Sequence, residues 1–169
     1  SEVANVSDRR SFALLTPELN NGLPSMLIPS NGINTGLMVA QYSGASLVSD
    51  NKTLAHPDSV DSIPTSANQE DHVSMGANGA RHLLEIIDNV THVIAIEFLC
   101  AAQAIDFREN GKNRLGIGTA AAYPLIREKV HMYQNDHEMS PDIETLVKLI
   151  NSETIIHQVN QALQTGENQ

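Results

Sequence analysis

The sequence predicts an all-α fold of long helices packed side by side, and three observations carry that expectation. Positions alternately four and three apart run Val73, Ala77, Ala80, Leu84, Ile87, Thr91, Ile94, Phe98, Ala101, Ile105, and all but Thr91 are apolar. That spacing is a helical seam sustained over several heptads. Aromatic residues make up only 4% of the chain and Trp is absent. Small and aliphatic residues must then fill the core, which suits close helix packing better than a sandwich of strands. No segment shows the alternation of a half-buried strand.

Taken in order, Asp8-Arg9-Arg10 opens a short helix running towards Leu15, and Pro17, Asn20-Asn21-Gly22 and Pro24 break it. Residues 22–35 read as loop, punctuated by Pro29, Asn31-Gly32 and Asn34. From 35 to 54 a helix is expected, with Leu37, Ala40, Gly44, Leu47, Asn51 and Leu54 on one stripe. Small and polar residues on such a stripe allow close backbone approach and buried hydrogen bonds. An amphipathic surface helix is the alternative. His56-Pro57 ends it, because the residue before proline avoids the α region. The seam predicts a long helix over 68–106, which at 1.5 Å per residue is roughly 55–60 Å. That length suits a multi-helix bundle shared between subunits. After the Asn110-Gly111 turn, a helix is expected over 118–131 with Pro124 in its first turns or kinking it. Ser140-Pro141 is an N-cap followed by a first-turn proline leading into 143–150, and Ser152 caps a last helix reaching Leu163. The tail 164–169 is polar and expected to fray. The whole reads as a single helical domain, 1–169.

The 169 residues suffice for one domain with a real core. Twenty acidic against ten basic residues give a net charge of −10. Such a surface repels phosphate backbones and anionic membranes, and no Lys/Arg stripe compensates, so neither nucleic acid nor membrane is an expected partner. The single cysteine, Cys100, lies in an apolar run and reads as a buried thiol. With no signal-peptide pattern and no membrane-length apolar run, a cytoplasmic location is expected.

Few segments could carry chemistry. His137-Glu138 lacks the second histidine of a zinc-protease helix, since position 141 is Pro141. His72, His82 and His92 are spaced so that each step turns about 280° on a helix, so they cannot share a face and no metal site is expected. The one dense polar cluster is Thr65-Ser66-Ala67-Asn68-Gln69-Glu70-Asp71-His72, at the expected mouth of the long helix. Ser66 and Gln69 have capping-box spacing, and Glu70 and Asp71 would complement the helix dipole. Alternatively the helix start faces a cavity, with Glu70 as an ionised carboxylate that binds a cationic amine or imidazole or accepts a proton.

The run Thr65 to Gly76 resembles the corresponding stretch of histidine ammonia-lyases, within the aromatic amino acid ammonia-lyase family. Gly22-Leu23-Pro24, Asn34 to Gln41, Leu54-Ala55-His56-Pro57, Val60 to Pro64, Ala102 to Arg108 and Pro141-Asp142-Ile143 follow in the family's order. The resemblance covers about residues 5–160 and implies a C-terminal portion of such an enzyme. It implies an all-α bundle like the central and C-terminal helices of the aromatic amino acid lyase and aspartase-like superfamily. It also implies a homotetramer with shared active sites, eliminating ammonia from L-histidine to give urocanate. Glu70 matches the family's active-site glutamate, with Gln69 and Asn68 as pocket-lining neighbours. Phenylalanine and tyrosine lyases tend to carry Gln at that position, so Glu70 with His72 points to histidine as substrate. The family's electrophile, a 4-methylidene-imidazol-5-one, forms from an internal Ala-Ser-Gly, and no such triplet occurs here. The chain alone is therefore expected to be inactive, with the remaining N-terminal part of the lyase as its partner. A phenylalanine or tyrosine lyase or aminomutase, and a non-catalytic helical oligomerisation module, remain the alternatives.

Overall fold

A computed structural model describes residues 1–29 and 32–166. The loop expected over 22–35 is partly described, its residues 30 and 31 lying outside. Six α-helices are described: α1 Glu2–Leu15, α2 Met38–Leu54, α3 Gly76–Phe107, α4 Ile117–Lys129, α5 Ser140–Asn151 and α6 Thr154–Gly166. Among the described residues there is no strand; Thr65 and Glu70 form an isolated bridge. The all-α expectation holds.

The second half of α3 is the axis on which the other elements pack. Its buried face is Val93, Ala95, Ile96, Leu99, Cys100, Ala102, Gln103 and Ala104. Leu15 of α1, Leu27 and Ile28 of the following segment, Ala40 of α2, Ile126 of α4 and Leu146 of α5 close on that face in one core. A smaller cluster joins Ala4, Val48 and Val93. The small-residue stripe on α2 is buried, as the crowded reading requires: Ala40, Gly44 and Asn51 face inward, and Asn89 Nδ2 donates to Asn51 Oδ1 at 3.1 Å. Burial pushes the Cys100 thiol up to about 12, so it stays protonated.

Gln103 ties the loop segments to this axis. Its Nε2 donates to the carbonyls of Leu27 and Tyr133, at 3.0 and 2.9 Å. Its Oε1 accepts from the Tyr133 amide at 3.1 Å and from Arg127 Nη2 at 3.2 Å. Arg127 is also ion-paired with Asp106 at 2.7 Å. On the far side Asp136 accepts from the Thr35 and Gly36 amides, and that charge-assisted capture holds its carboxyl below the usual carboxylate range.

Several boundaries differ from the sequence expectation. Helix α1 starts at Glu2, ahead of Asp8. Pro124 sits inside α4 rather than in its first turn, leaving the Ala120 carbonyl without its helical donor. The N-cap of α5 is Met139, with Pro141 still in the first turn. Residues 164–166 belong to α6, and the rest of the expected tail lies outside the described residues. The largest differences concern α3. It begins at Gly76, not at 68, and its 32 residues span about 48 Å. The seam from Ala77 to Ile105 is also not the face buried within the chain. No residue from 77 to 88 is buried, and Leu84 and Ile87 are 68% and 53% exposed. Helix α3 thus has a second apolar stripe, whose first half this chain leaves exposed while Phe98 and Ile105 further along pack against the core.

Candidate functional site

The polar cluster lies in the connection from α2 to α3. After α2, Pro57 leads into a single 3-10 turn, Asp58–Val60. The chain then runs extended to Thr65, where it folds back on itself. The Thr65 amide donates to the Glu70 carbonyl at 2.9 Å, and the Glu70 amide donates to the Thr65 carbonyl at 3.3 Å. Between them Ser66, Ala67 and Asn68 have φ of 53°, 55° and 69°. Three consecutive non-glycine residues in the left-handed region cost roughly 1–2 kcal/mol each. The closing bridge and the Gln69 amide, which donates to the Ser66 carbonyl at 3.1 Å, hold that turn shut.

This geometry explains why the long helix starts late. The backbone groups of Thr65 and Glu70 are spent on each other, so they cannot enter a helical ladder. Helix α3 begins only after Ser74, whose Oγ accepts from the Gly76 amide at 3.3 Å. The capping box of Ser66 and Gln69 does not form. Glu70 and Asp71 lie ahead of the helix, whose first turn holds no acidic residue, so the dipole argument for an ionised Glu70 does not apply.

Asn68, Gln69 and Glu70 are brought together on this pinched loop, and all of residues 65–72 are exposed. Among the described residues no cation or donor side chain pairs with the Glu70 carboxylate, and the Asn68 and Gln69 side chains make no hydrogen bond. The loop thus presents one carboxylate and two amides outward on a fixed backbone. A carboxylate in that setting can accept from an ammonium or an imidazole N–H, or take a proton.

The base of the loop is held by contacts that the sequence reading did not propose. Ser62 Oγ accepts from the Val73 amide at 3.0 Å. Asp58 Oδ2 lies 3.1 Å from His82 Nδ1, tying the 3-10 turn to α3. A cavity of about 400 Å3 opens between these parts, lined by Asp58, Ser59, His72, Ser74, Met75, Gly76 and Gly79. Nothing in local spacing announces a contact between residues so far apart in sequence. The three evenly spaced histidines go separate ways: His72 lines this cavity, His82 meets Asp58, and His92 meets Glu144 at 3.2 Å. Among the described residues no helix is long and apolar enough to cross a membrane.

Comparisons with known proteins bear on the family and the fold. Residues 1–128 match the model of the aromatic amino acid lyase family. A histidine ammonia-lyase of Natranaerobius thermophilus is 51% identical over 96% of this chain, which corresponds to 32% of that relative. The crystal structure of histidine ammonia-lyase from Trypanosoma cruzi matches with a TM-score of 0.88 at 38% identity, over 94% of this chain and 31% of that one. Tyrosine aminomutase from Streptomyces globisporus matches with a TM-score of 0.89 at 29% identity, over 94% of this chain and 30% of its own. The chain spans about a third of the length of the curated relatives it matches.

Proposed function

The chain belongs to the aromatic amino acid lyase family, and from that premise we propose that it is the C-terminal portion of a histidine ammonia-lyase. On this reading the assembled enzyme eliminates ammonia from L-histidine to give urocanate, and the chain supplies one wall of the active site and part of the oligomer core. The observation that carries the proposal is the loop 65–70. It is strained, closed by its own backbone and exposed, and the side chains of Asn68, Gln69 and Glu70 contribute no hydrogen bond to this chain's fold. Strain retained without a local return is characteristic of functional segments.

Glu70 is the group we assign to the substrate. Its carboxylate pairs with the imidazole or ammonium of histidine and serves as a proton acceptor, while Gln69 and Asn68 orient the substrate beside it. A phenyl ring offers a carboxylate no such partner. The family's electrophile does not fit the residues present, because the nearest run, Ser43-Gly44-Ala45-Ser46, has the wrong order and lies within α2. We assign that group to the remainder of the lyase and derive no step through it. The exposed seam on α3 fits burial against other subunits of a homotetramer, and a net charge of −10 is in keeping with a cytoplasmic enzyme.

Two measurements test the reading. The 169-residue chain alone forms no urocanate from histidine, followed by ultraviolet absorbance; urocanate formed by this chain would overturn the assignment of the electrophile elsewhere. In the assembled lyase, Glu70→Gln lowers histidine turnover by about a hundredfold, the share of a positioned acid–base group. Near wild-type kinetics would remove Glu70 from the site. Elimination from phenylalanine or tyrosine in preference to histidine would favour the related lyases and aminomutases.

A further inference from the structure

Asn-Gly occurs at Asn21-Gly22, Asn31-Gly32, Asn78-Gly79 and Asn110-Gly111, alike in sequence and unlike in the fold. An asparagine amide is among the less durable groups of a protein. It is lost when the backbone nitrogen of the next residue attacks the side-chain carbonyl carbon, and a following glycine leaves that approach open. The nitrogen must first give up its proton, so an N–H held in a hydrogen bond is protected. The Gly79 amide donates to the Met75 carbonyl at 3.2 Å, and the Gly111 amide to the Arg108 carbonyl at 2.9 Å. Asn31 lies outside the described residues. The Gly22 amide makes no hydrogen bond among the described residues, and Asn21 and Gly22 are both exposed. Gly22 has φ of +82°, and a Cβ there would meet nothing within 4 Å, so no packed neighbour resists ring closure.

Arg108 sets this site further apart. It is the residue that ends α3, and its Nη1 and Nη2 donate to the Asn21 and Asn20 carbonyls, both at 2.7 Å. Two bonds from one planar fork fix the guanidinium in place. The Asn21 carbonyl belongs to the same peptide unit as the Gly22 nitrogen. A cationic donor on that oxygen stabilises the negative charge the unit carries once the nitrogen is deprotonated.

We propose that Asn21-Gly22 is a self-modifying site at which Arg108 promotes conversion of Asn21 to isoaspartate, with water as the co-reactant. A bond forms between the Gly22 nitrogen and Asn21 Cγ, the Cγ–Nδ2 bond breaks, and Nδ2 leaves as ammonia with the proton that Gly22 gave up. The five-membered imide then opens when water adds to one of its two carbonyl carbons. Arg108 already donates to the oxygen of the backbone carbonyl, where the oxyanion develops if water adds on that side. Opening there breaks that carbon's bond to the Gly22 nitrogen, which regains a proton, while the hydroxyl stays on the carbon and its acid proton passes to solvent. The chain now runs through Asn21 Cγ. The former backbone carbonyl has become a carboxylate, and Arg108 pairs with it. The inference stands on these residues and not on the lyase reading.

The test ages the 169-residue chain in mildly alkaline buffer, folded and in urea, and maps its peptides by mass spectrometry with electron-transfer fragmentation, which tells isoaspartate from aspartate. In the folded chain, conversion at Asn21 is expected to outrun that at Asn78 and Asn110 by about tenfold or more, the rate equivalent of freeing one amide hydrogen bond. The isoaspartate share at Asn21 is expected to be higher in the folded chain than in urea, where Arg108 is no longer held on the carbonyl. Arg108→Gln is expected to slow conversion at Asn21 by about tenfold, the worth of one charge-assisted hydrogen bond, and to lower the isoaspartate share, with Arg108→Lys between the two. Conversion led by Asn78 or Asn110 would overturn the proposal. So would an isoaspartate share no higher in the folded chain than in urea, or an Arg108→Gln chain that converts as fast as wild type. The comparison with urea needs no variant and decides the matter if Arg108→Gln does not fold.

Discussion

Replacing Gln103 with Leu is the perturbation from which the fold's stability is most directly calculated. Leu has nearly the same volume, so the change removes hydrogen bonds with little cavity. Gln103 is fully buried, and its amide serves the Leu27 carbonyl and both backbone groups of Tyr133, with Arg127 as the fourth partner. Arg127 keeps its ion pair with Asp106 at 2.7 Å, so its loss is partial. Three buried backbone groups then stand unpaired, at about 1–3 kcal/mol each, with carbonyls towards the low end. A destabilisation of about 3–5 kcal/mol follows, a large share of the roughly 5–15 kcal/mol typical of a domain. For a chain of 169 residues that lowers Tm by about 10–15 °C, taking roughly 2–4 °C per kcal/mol. Urea denaturation followed by far-ultraviolet circular dichroism measures it. A loss below about 1 kcal/mol would mean that the segment around Tyr133 is held by something other than Gln103, and the reasoning would fail.

Two further substitutions follow from the geometry. Burial opposes protonation of His92, but hydrogen bonds to the Asp88 carbonyl and the Glu144 carboxylate, with the charges of Asp88 and Glu144, outweigh it and raise its pKa above 6.5. A raised folded value means that the α3–α5 clamp adds stability that is fully present below 6.5 and is lost as pH rises through the folded pKa. Glu144→Gln should lower the His92 pKa in an NMR titration of the imidazole ring, and an unchanged value would show that Glu144 does not hold the ring. Gly36 has φ of +58°, and a Cβ there would collide with the Met26 carbonyl oxygen and with the Ile28 side chain. Gly36→Ala should cost about 2 kcal/mol or more in thermal unfolding; a melt indistinguishable from wild type would show that the Met26–Leu37 turn yields freely.

What could be read from the sequence, and what could not, follows from the range of the interactions. The stripe on α2 declared itself because Ala40, Gly44 and Asn51 recur at helical spacing, and periodicity is a local signal. The start of α3 did not. Ser66 and Gln69 have the spacing of a cap and Glu70 the sign for a helix dipole, yet the Thr65–Glu70 bridge takes the backbone elsewhere. Three residues in left-handed conformations carry no glycine to announce them. The Asp58–His82 tie and the four contacts of Gln103 join residues distant in sequence, so spacing could not propose them. Asn20 was legible as a turn residue; its burial, at only 3% exposed, was not. Glu70 was singled out by its resemblance to the lyase motif, and the structure changes its setting from a helix turn to a fixed, outward loop.

The offset of the α3 seam links that loop to assembly. A helix packed only within one domain needs a single apolar stripe, but α3 carries Val93, Ile96, Cys100 and Gln103 on its inner face and Leu84, Ile87, Ile94, Phe98 and Ala101 on another. Fully burying a Leu or Ile side chain is worth about 1.5–3 kcal/mol, so exposed Leu84 and Ile87 alone leave several kcal/mol unrealised in the isolated chain. The loop bearing Glu70 leads into the same exposed half of the helix. On the proposed reading, whatever covers Leu84 and Ile87 also approaches the loop and removes water from around its carboxylate. A Coulombic contact strengthens steeply as the surrounding dielectric falls, so a carboxylate that is solvated here gains its hold on a cationic substrate only on assembly. The strain at Ser66, Ala67 and Asn68 then has a use: it fixes the position of Glu70 before any partner arrives, so association need not order the loop as well as cover it.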